Sequence, residues 1–371
     1  MPVITESSYP GPPAYQVGGH LQTIWPNLLR RVAPVAYVRE RLELDDGDFL
    51  DIDHSYPSNT GGLLVIGHGL EGSADRAYVR GVAHYFGKRG WRVCAINFRS
   101  CSGQLNRLRR MYHHGDYPDL HAVCVRLRKT WDGPMAYVGF SMGGNIGLNY
   151  ASRMPAEADA HLDSVTAFSS PLYLGDSIAA LDTPFGRVYS KRFWEALAAK
   201  LEAKSGTHDI PNLGVLRAIG NWDAFDRAFS LPLHGYGEDA VPRDFYDDVS
   251  PVDHLHLARV PTLIVQAIND PMLGGRCYET AFAKTNDAVI VEHTREGGHV
   301  GFAQAGSAWT WAEERTWAWV ANAPATHARK AGTAPVPAET SLRPPRTKSA
   351  VLPRALPRRA TPPRPSPPPA N

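Results

Sequence analysis

The sequence predicts an α/β fold, a mainly parallel sheet covered by helices on both faces, and three observations predict it. Short apolar runs at 62–66, 91–96, 135–138, 164–168, 262–267 and 288–291 are each followed by a glycine-rich or polar turn and a helical stretch. Residues 37–54 alternate in polarity around Asp45-Asp46-Gly47-Asp48, the pattern of a hairpin with strands at 38–44 and 49–54 turning at Gly47. The run at 135–138 leads directly into Gly139-Phe140-Ser141-Met142-Gly143, with a helix-compatible segment behind it. Strands alternating with helices imply parallel pairing buried on both sides, because each crossover lays a helix on a sheet face. The antiparallel hairpin at the start completes an α/β-hydrolase arrangement.

The chain has 371 residues, 43% of them hydrophobic and 20% charged, which is enough for a core that needs no metal or disulfide staple. Cys94, Cys101, Cys124 and Cys277 form no C-x-x-C pair and read as reduced thiols, favouring a reducing, cytoplasmic compartment. The first residues lack a basic start followed by an apolar run, and no stretch is long enough to span a bilayer, so a soluble protein is expected. The net charge of +2 conceals an asymmetry. Residues 322–371 hold nine Lys/Arg, a single acidic residue (Glu339) and thirteen of the 31 prolines, for a charge of +8 that leaves the rest at −6. Without any aromatic residue, that stretch cannot bury enough apolar surface to offset the entropy of ordering it. We therefore expect one hydrolase domain over 1–321 and a disordered Pro/Arg-rich tail over 322–371.

The strand rhythm is interrupted at about 172–249. A helix is expected at 191–204, with Ser190 as N-cap and Gly206 as stop, and Phe193, Trp194, Leu197 and Leu201 on one face. Lying between two sheet strands, this insertion is placed to cap the ligand site, which in open α/β sheets lies beyond the carboxyl ends of the strands. The alternative is a peripheral helical layer. The cap aromatics, Phe193, Trp194, Trp222, Phe225 and Phe229, suit either an apolar acyl pocket or packing of the cap onto the body.

The chemistry-bearing pattern is a nucleophile elbow. Small residues flanking Ser141 permit a tight strand–turn–helix bend that lifts the hydroxyl above the sheet. A serine hydroxyl attacks only when a base takes its proton and an acid holds that base in the right tautomer, and this fold supplies them in the order Ser, acid, His. Asp270, in Ile268-Asn269-Asp270-Pro271, directly follows a strand; the rival acids Asp253 and Asp287 do not. His299, in Gly297-Gly298-His299-Val300-Gly301, follows the last strand and is the one histidine of fifteen so placed. The developing oxyanion needs donors, for which the backbone N–H groups of Met142 and Leu70 are the candidates. His68, beside Leu70, reads as structural.

His20-Leu21-Gln22-Thr23-Ile24-Trp25-Pro26, Asp46-Gly47-Asp48, His68-Gly69-Leu70-Glu71-Gly72, Asn97-Phe98-Arg99-Ser100-Cys101-Ser102-Gly103, the serine elbow through Asn145, Asp270-Pro271 and Gly297-Gly298-His299-Val300-Gly301-Phe302 together resemble the YheT-type α/β-hydrolases. That group includes the eukaryotic α/β-hydrolase-domain proteins one to three, and the likeness runs over about 17–305. The resemblance implies Ser141, Asp270 and His299 as a triad and carboxylic-ester hydrolysis as the activity. The membrane-bound eukaryotic members act on glycerolipids and phospholipids. This chain departs from them in showing no amino-terminal anchor, in carrying Ser100 where the family has glycine, and in its basic proline-rich tail.

The leading expectation is thus a serine esterase acting on a small-molecule acyl ester, with no cofactor, no metal and no nucleic acid bound by the body, peripheral membrane contact remaining open. Acyl transfer by the same triad is the second reading. The His114-x-x-x-x-Asp119 spacing is read as a surface loop leading into a helix near 120–127. A third is a non-catalytic adaptor acting through the tail, where Pro362-Pro363-Arg364-Pro365 fits a P-x-x-P pattern.

Overall fold

The computed structural model describes residues 2–57 and 61–322. Nine strands form one sheet: β1 (Val3–Ile4), β2 (Val38–Glu43), β3 (Phe49–Ser55), β4 (Leu63–Gly67), β5 (Arg92–Asn97), β6 (Met135–Phe140), β7 (Ser164–Phe168), β8 (Thr262–Ala267) and β9 (Val289–Thr294). Their order is β1-β9-β8-β7-β6-β4-β5-β3-β2, parallel except where β3 meets β2 and β5. The fold class is the expected one, a mostly parallel sheet with an antiparallel hairpin at one edge. In the hairpin Val38 pairs with His54 and Glu43 with Phe49 across the turn at Gly47.

Period-two alternation divides the core into two layers. In β4, Leu63 and Val65 face one side and Leu64 and Ile66 the other. The first side is covered by α3 (Tyr117–Arg128) and α4 (Met142–Arg153), through Leu120, Val123, Leu127 and Ile146. The second is covered by α2 (Ala77–Gly87) and by a carboxyl-terminal helix, Trp311–Asn322, through Val79, Val82, Phe86 and Trp311. α1 (Gly18–Leu29) lies outside this layering and β1 adds a short parallel strand to β9, Val3 opposite Val291. Both belong to the amino-terminal stretch, and α1 bears on the site.

Between β7 and β8 the chain forms a helical insertion that includes α6 (Leu174–Leu181), α7 (Gly186–Lys204), helical turns over 222–233, and a helix at Pro242–Val249. Here α5 denotes Pro155–His161. Leu181, Leu197, Leu201, Trp222, Phe225 and Phe229 gather with Met111 and Met272 of the body into a separate apolar cluster. The expected 191–204 helix exists but begins earlier, at Gly186, so Ser190 is not its N-cap. Ser190 is buried inside the helix, donating to the Leu181 carbonyl at 3.0 Å and accepting from Trp222 Nε1 at 2.8 Å, a clamp between cap segments. Its end is the expected one: α7 stops at Lys204 with Ser205 as C-cap, and Gly206 follows directly.

The segment around His114 is not a surface loop. Asp116 and Asp119 are buried, Asp119 gripped by both ends of the Arg99 guanidinium at 2.6 and 2.7 Å and Asp116 paired with Arg110. The expected tail lies outside the described residues, apart from Asn322, which ends the carboxyl-terminal helix. The four cysteines are free and buried. No helix among the described residues is long and apolar enough to cross a membrane.

Candidate active site

The site forms where strands β4, β6, β7, β8 and β9 end. Ser141 joins β6 to α4 with φ 53° and ψ −120°, a backbone setting that non-glycine residues seldom adopt. The turn is so close-packed that its glycines are obligatory. A β-carbon on Gly139 would stand 2.4 Å from the Gly143 carbonyl oxygen, and one on Gly143 would stand 2.4 Å from that of Gly67. Packing of the elbow against β4 therefore dictates the small residues around the serine.

His299 is on the loop leaving β9 and Asp270 on the loop leaving β8. His299 Nε2 lies 2.9 Å from Ser141 Oγ, and Nδ1 lies 2.9 Å from Asp270 Oδ2 and 3.1 Å from Oδ1. A carboxylate only accepts, so Nδ1–H donates to Asp270, leaving the Nε2 lone pair to accept from the serine hydroxyl. The Asp270 side chain is fully buried and Oδ1 also accepts from the Met272 N–H at 2.9 Å. Neither rival acid approaches this histidine: Asp253 is exposed and paired with Arg276, and Asp287 is exposed.

Leu70 lines the same cavity as Ser141 and His299, on a loop so near the elbow that a β-carbon on Gly69 would lie 3.2 Å from that of Ser141. Its neighbours' amides are occupied: Gly69 N–H donates to Tyr78 Oη and Glu71 N–H to Tyr112 Oη, each at 2.8 Å. Among the described residues, the N–H groups of Leu70 and Met142 have no protein acceptor. Two unspent donors beside a serine hydroxyl could receive a negatively charged oxygen. His68 is buried beneath this loop, donating from Nδ1 to the Gly69 carbonyl at 2.7 Å and accepting at Nε2 from Phe98 N–H at 3.2 Å. Burial pulls its pKa down to about 3, so it stays neutral and structural.

Sequence reasoning did not assign the residues that hold His299 in place. Thr23 Oγ1 of α1 accepts from the His299 N–H at 2.8 Å. Gln22 Oε1 accepts from Gly297 N–H at 2.8 Å and from Asn269 Nδ2 at 2.9 Å, while Asn269 Oδ1 accepts from Gly298 N–H at 3.1 Å. Ser169 Oγ, at the end of β7, accepts from Val300 N–H at 3.0 Å. The amino-terminal His20–Pro26 motif was the available signal, though nothing local in it points to a histidine almost 280 residues away. A second unassigned group joins the cap to the loop that carries Leu70. Lys200 of α7 reaches Glu71 Oε1 at 2.8 Å, and the same oxygen accepts from Tyr112 Oη at 2.6 Å. Ser100, standing where the family shows glycine, has φ 64°; its hydroxyl donates to Asn106 Oδ1 at 2.6 Å and accepts from Asn106 N–H at 3.0 Å.

A cavity of about 100 Å³ opens between the serine and the cap. Phe193, Trp222, Phe225 and Phe229 line it, whereas Trp194 packs against Trp222 at 5.5 Å. The cap aromatics thus serve both purposes raised by the sequence, lining and packing. Among the described residues no three His, Cys, Asp or Glu side chains gather as metal ligands. His114 lines the cavity but Asp119 is committed to Arg99, so the two do not act as a pair.

A family model described as the alpha/beta hydrolase fold matches residues 62–305. YheT of Escherichia coli (strain K12), whose name provisionally assigns it as an esterase, is 34% identical over 292 residues, spanning 76% of this chain and 84% of that protein. The phospholipase ABHD3 of Homo sapiens is 24% identical over 318 residues, spanning 81% and 75%. A monoacylglycerol lipase of Saccharomyces cerevisiae is 27% identical over 264 residues, spanning 68% and 57%. Among solved structures, the Pyrococcus furiosus esterase Pf2001 aligns with a TM-score of 0.51 at 16% identity, over 79% of this chain and 97% of that one. The alpha/beta hydrolase GrgF from Penicillium sp. sh18 aligns at 0.52 and 15%, over 78% and 99%. These two likenesses concern the fold.

Proposed function

From a chain that belongs to the α/β-hydrolase family, among its YheT-type members, we propose an enzyme that hydrolyses carboxylic esters through an acyl-enzyme on Ser141. The observation that carries the reading is the unbroken hydrogen-bonded line from Ser141 Oγ through His299 to Asp270. Ser141 Oγ attacks the ester carbonyl carbon as its proton passes to His299 Nε2. The oxygen that becomes negative is received by the N–H groups of Leu70 and Met142, worth about 2.7–4 kcal/mol apiece to a transition state. The tetrahedral adduct then collapses, the carbon–oxygen bond to the alcohol breaks, and His299 returns the proton to the departing alkoxide. Water, deprotonated by the same imidazole, attacks the acyl-serine; collapse releases the carboxylic acid and restores Ser141. Asp270 holds Nδ1–H throughout and stabilises the imidazolium formed in both halves.

The apolar walls beside Ser141 suit an acyl chain. Named esterase, phospholipase and monoacylglycerol lipase relatives support ester chemistry of that kind. We read the chain as one hydrolase domain over 1–321, capped by about 172–249, with 322–371 as a separate tail; free thiols favour a cytoplasmic setting. A p-nitrophenyl ester series of increasing chain length, with fluorophosphonate labelling, tests the proposal on wild type and Ser141→Ala. Turnover and labelling should both vanish in the variant; labelling that persists would overturn the assignment of the nucleophile.

A further inference from the structure

The cavity beside Ser141 is not uniformly apolar. Besides the aromatic side chains, His113, His114 and His234 contribute to its lining. Two of the rings are in contact, His113 standing edge-on to His234 at 4.3 Å, and His234 is stacked parallel to Phe245 at 6.0 Å. His113 is fully engaged, since Nδ1 accepts from Gly115 N–H at 3.0 Å and Nε2 faces Asp116 Oδ1 at 3.2 Å. The other two are not. The Nδ1 atom of His234 is buried without a hydrogen-bond partner, and His114 makes no hydrogen bond among the described residues.

Other polar side chains of the lining already have partners within the protein. Asp226 accepts from Ser230 Oγ at 2.5 Å and Tyr246 Oη at 2.7 Å, and Ser177 Oγ donates to the Met272 carbonyl at 2.5 Å. Two unspent imidazoles therefore remain among these partnered side chains. Leaving them dehydrated against a plain alkyl chain incurs the full desolvation penalty of each group. Burial holds both below the ordinary histidine range, His114 at about 4, so at neutral pH each is uncharged, with one N–H and one lone pair. That complement matches an uncharged oxygen function, a hydroxyl or a carbonyl, and offers no cation to a carboxylate or phosphate.

We propose that His114 and His234 form a polar subsite within the acyl pocket that recognises a hydroxyl or carbonyl oxygen on the acyl chain, making oxygenated acyl esters the preferred substrate class. This rests on the ester-hydrolase reading and adds a specificity to it. A site built to hydrogen-bond a substrate group discriminates strongly against the analogue lacking it, because its own polar atoms are then stranded.

The test compares kcat/KM for p-nitrophenyl octanoate with that for its 3-, 6-, 7- and 8-hydroxy derivatives. Wild type should favour at least one hydroxy isomer by about tenfold or more, the scale of one hydrogen bond to a buried group. In His114→Phe and His234→Phe that ratio should fall toward one, a quantity from which general losses of activity cancel. The subsite is overturned if wild type favours no hydroxy isomer, a result needing no variant, or if the preference survives both substitutions. Ser141→Ala separates the two levels. Turnover that persists in it sinks the esterase reading itself, whereas Ser141-dependent turnover without the preference sinks only the subsite.

Discussion

Replacing Glu71 by Gln tests whether the cap controls the oxyanion loop. Glu71 follows Leu70 directly, has φ 54°, and is held by Lys200 Nζ at 2.8 Å and Tyr112 Oη at 2.6 Å. Glutamine keeps an acceptor for both partners and removes only the charge. Breaking a fully buried ion pair from one side costs about 3–5 kcal/mol. Lys200 and Glu71 keep 18% and 10% of their side-chain surface exposed, so solvent screening brings the expected loss nearer to about 1–2 kcal/mol. Losing an oxyanion donor outright lowers kcat by about 10²–10³; loosening the loop that carries Leu70 should cost roughly tenfold in kcat with KM little changed. Urea unfolding reads the first quantity and steady-state kinetics on a p-nitrophenyl ester the second. Lys200→Met should produce a similar kcat, and the double variant should be little worse than either single one, because both break one connection. The reasoning fails if Glu71→Gln loses stability as calculated but keeps the wild-type kcat, or if the two kcat losses multiply.

Other expectations follow from the same geometry. Asp270→Asn should leave the fold intact but lower kcat by about 10⁴, since an amide stabilises the wrong tautomer of His299; near-identical circular dichroism with unchanged turnover would contradict this. Gly143→Ala forces a β-carbon to within 2.4 Å of the Gly67 carbonyl oxygen and 2.6 Å of that of His68. Both obstacles are backbone, so a loss of about 3 kcal/mol or more in urea titrations is expected, together with loss of activity. His114 is held at about 4 by burial, against about 6.5 when unfolded. A lowered histidine pKa contributes stability that is present above pH 6.5 and lost as pH falls toward 4. His114→Phe should therefore flatten the stability-versus-pH curve in that window by about one proton, about 1.4 kcal/mol per pH unit; parallel curves for the two proteins would refute it.

The parts legible in the sequence share a physical origin. Strands such as Leu63–Gly67 and Thr262–Ala267 are buried on both faces, so they appear as unbroken apolar runs ended by turn residues. The places of Ser141, Asp270 and His299 at strand ends were legible because each lies on the turn or loop that leaves such a run. β1 was not, as Val3–Ile4 is too short to show any periodicity. The start of α7 was misplaced because Ser190 resembles a cap locally, whereas its hydroxyl is committed to Leu181 and Trp222 in space. The segment at 114–119 looked like a surface loop for the same reason. Its acidic residues are charged in composition but buried by pairing with Arg99 and Arg110, partners that no local pattern reveals.

The hold of Gln22 and Thr23 on the His299 loop has a consequence for how the protein is made. These hydrogen bonds join residues 275 and 276 positions apart. Contacts so distant in the chain close late in folding, after the entropy of a very large loop has been lost. On the ribosome the two supports emerge early and then wait for the whole sheet and cap to follow before their partner appears. On the mechanism proposed above, the nascent chain carries its serine elbow long before its base is seated, and stays inert toward esters until the His299 loop has been made. In the completed protein, peeling away α1 would silence the same base while leaving the central sheet hydrogen-bonded.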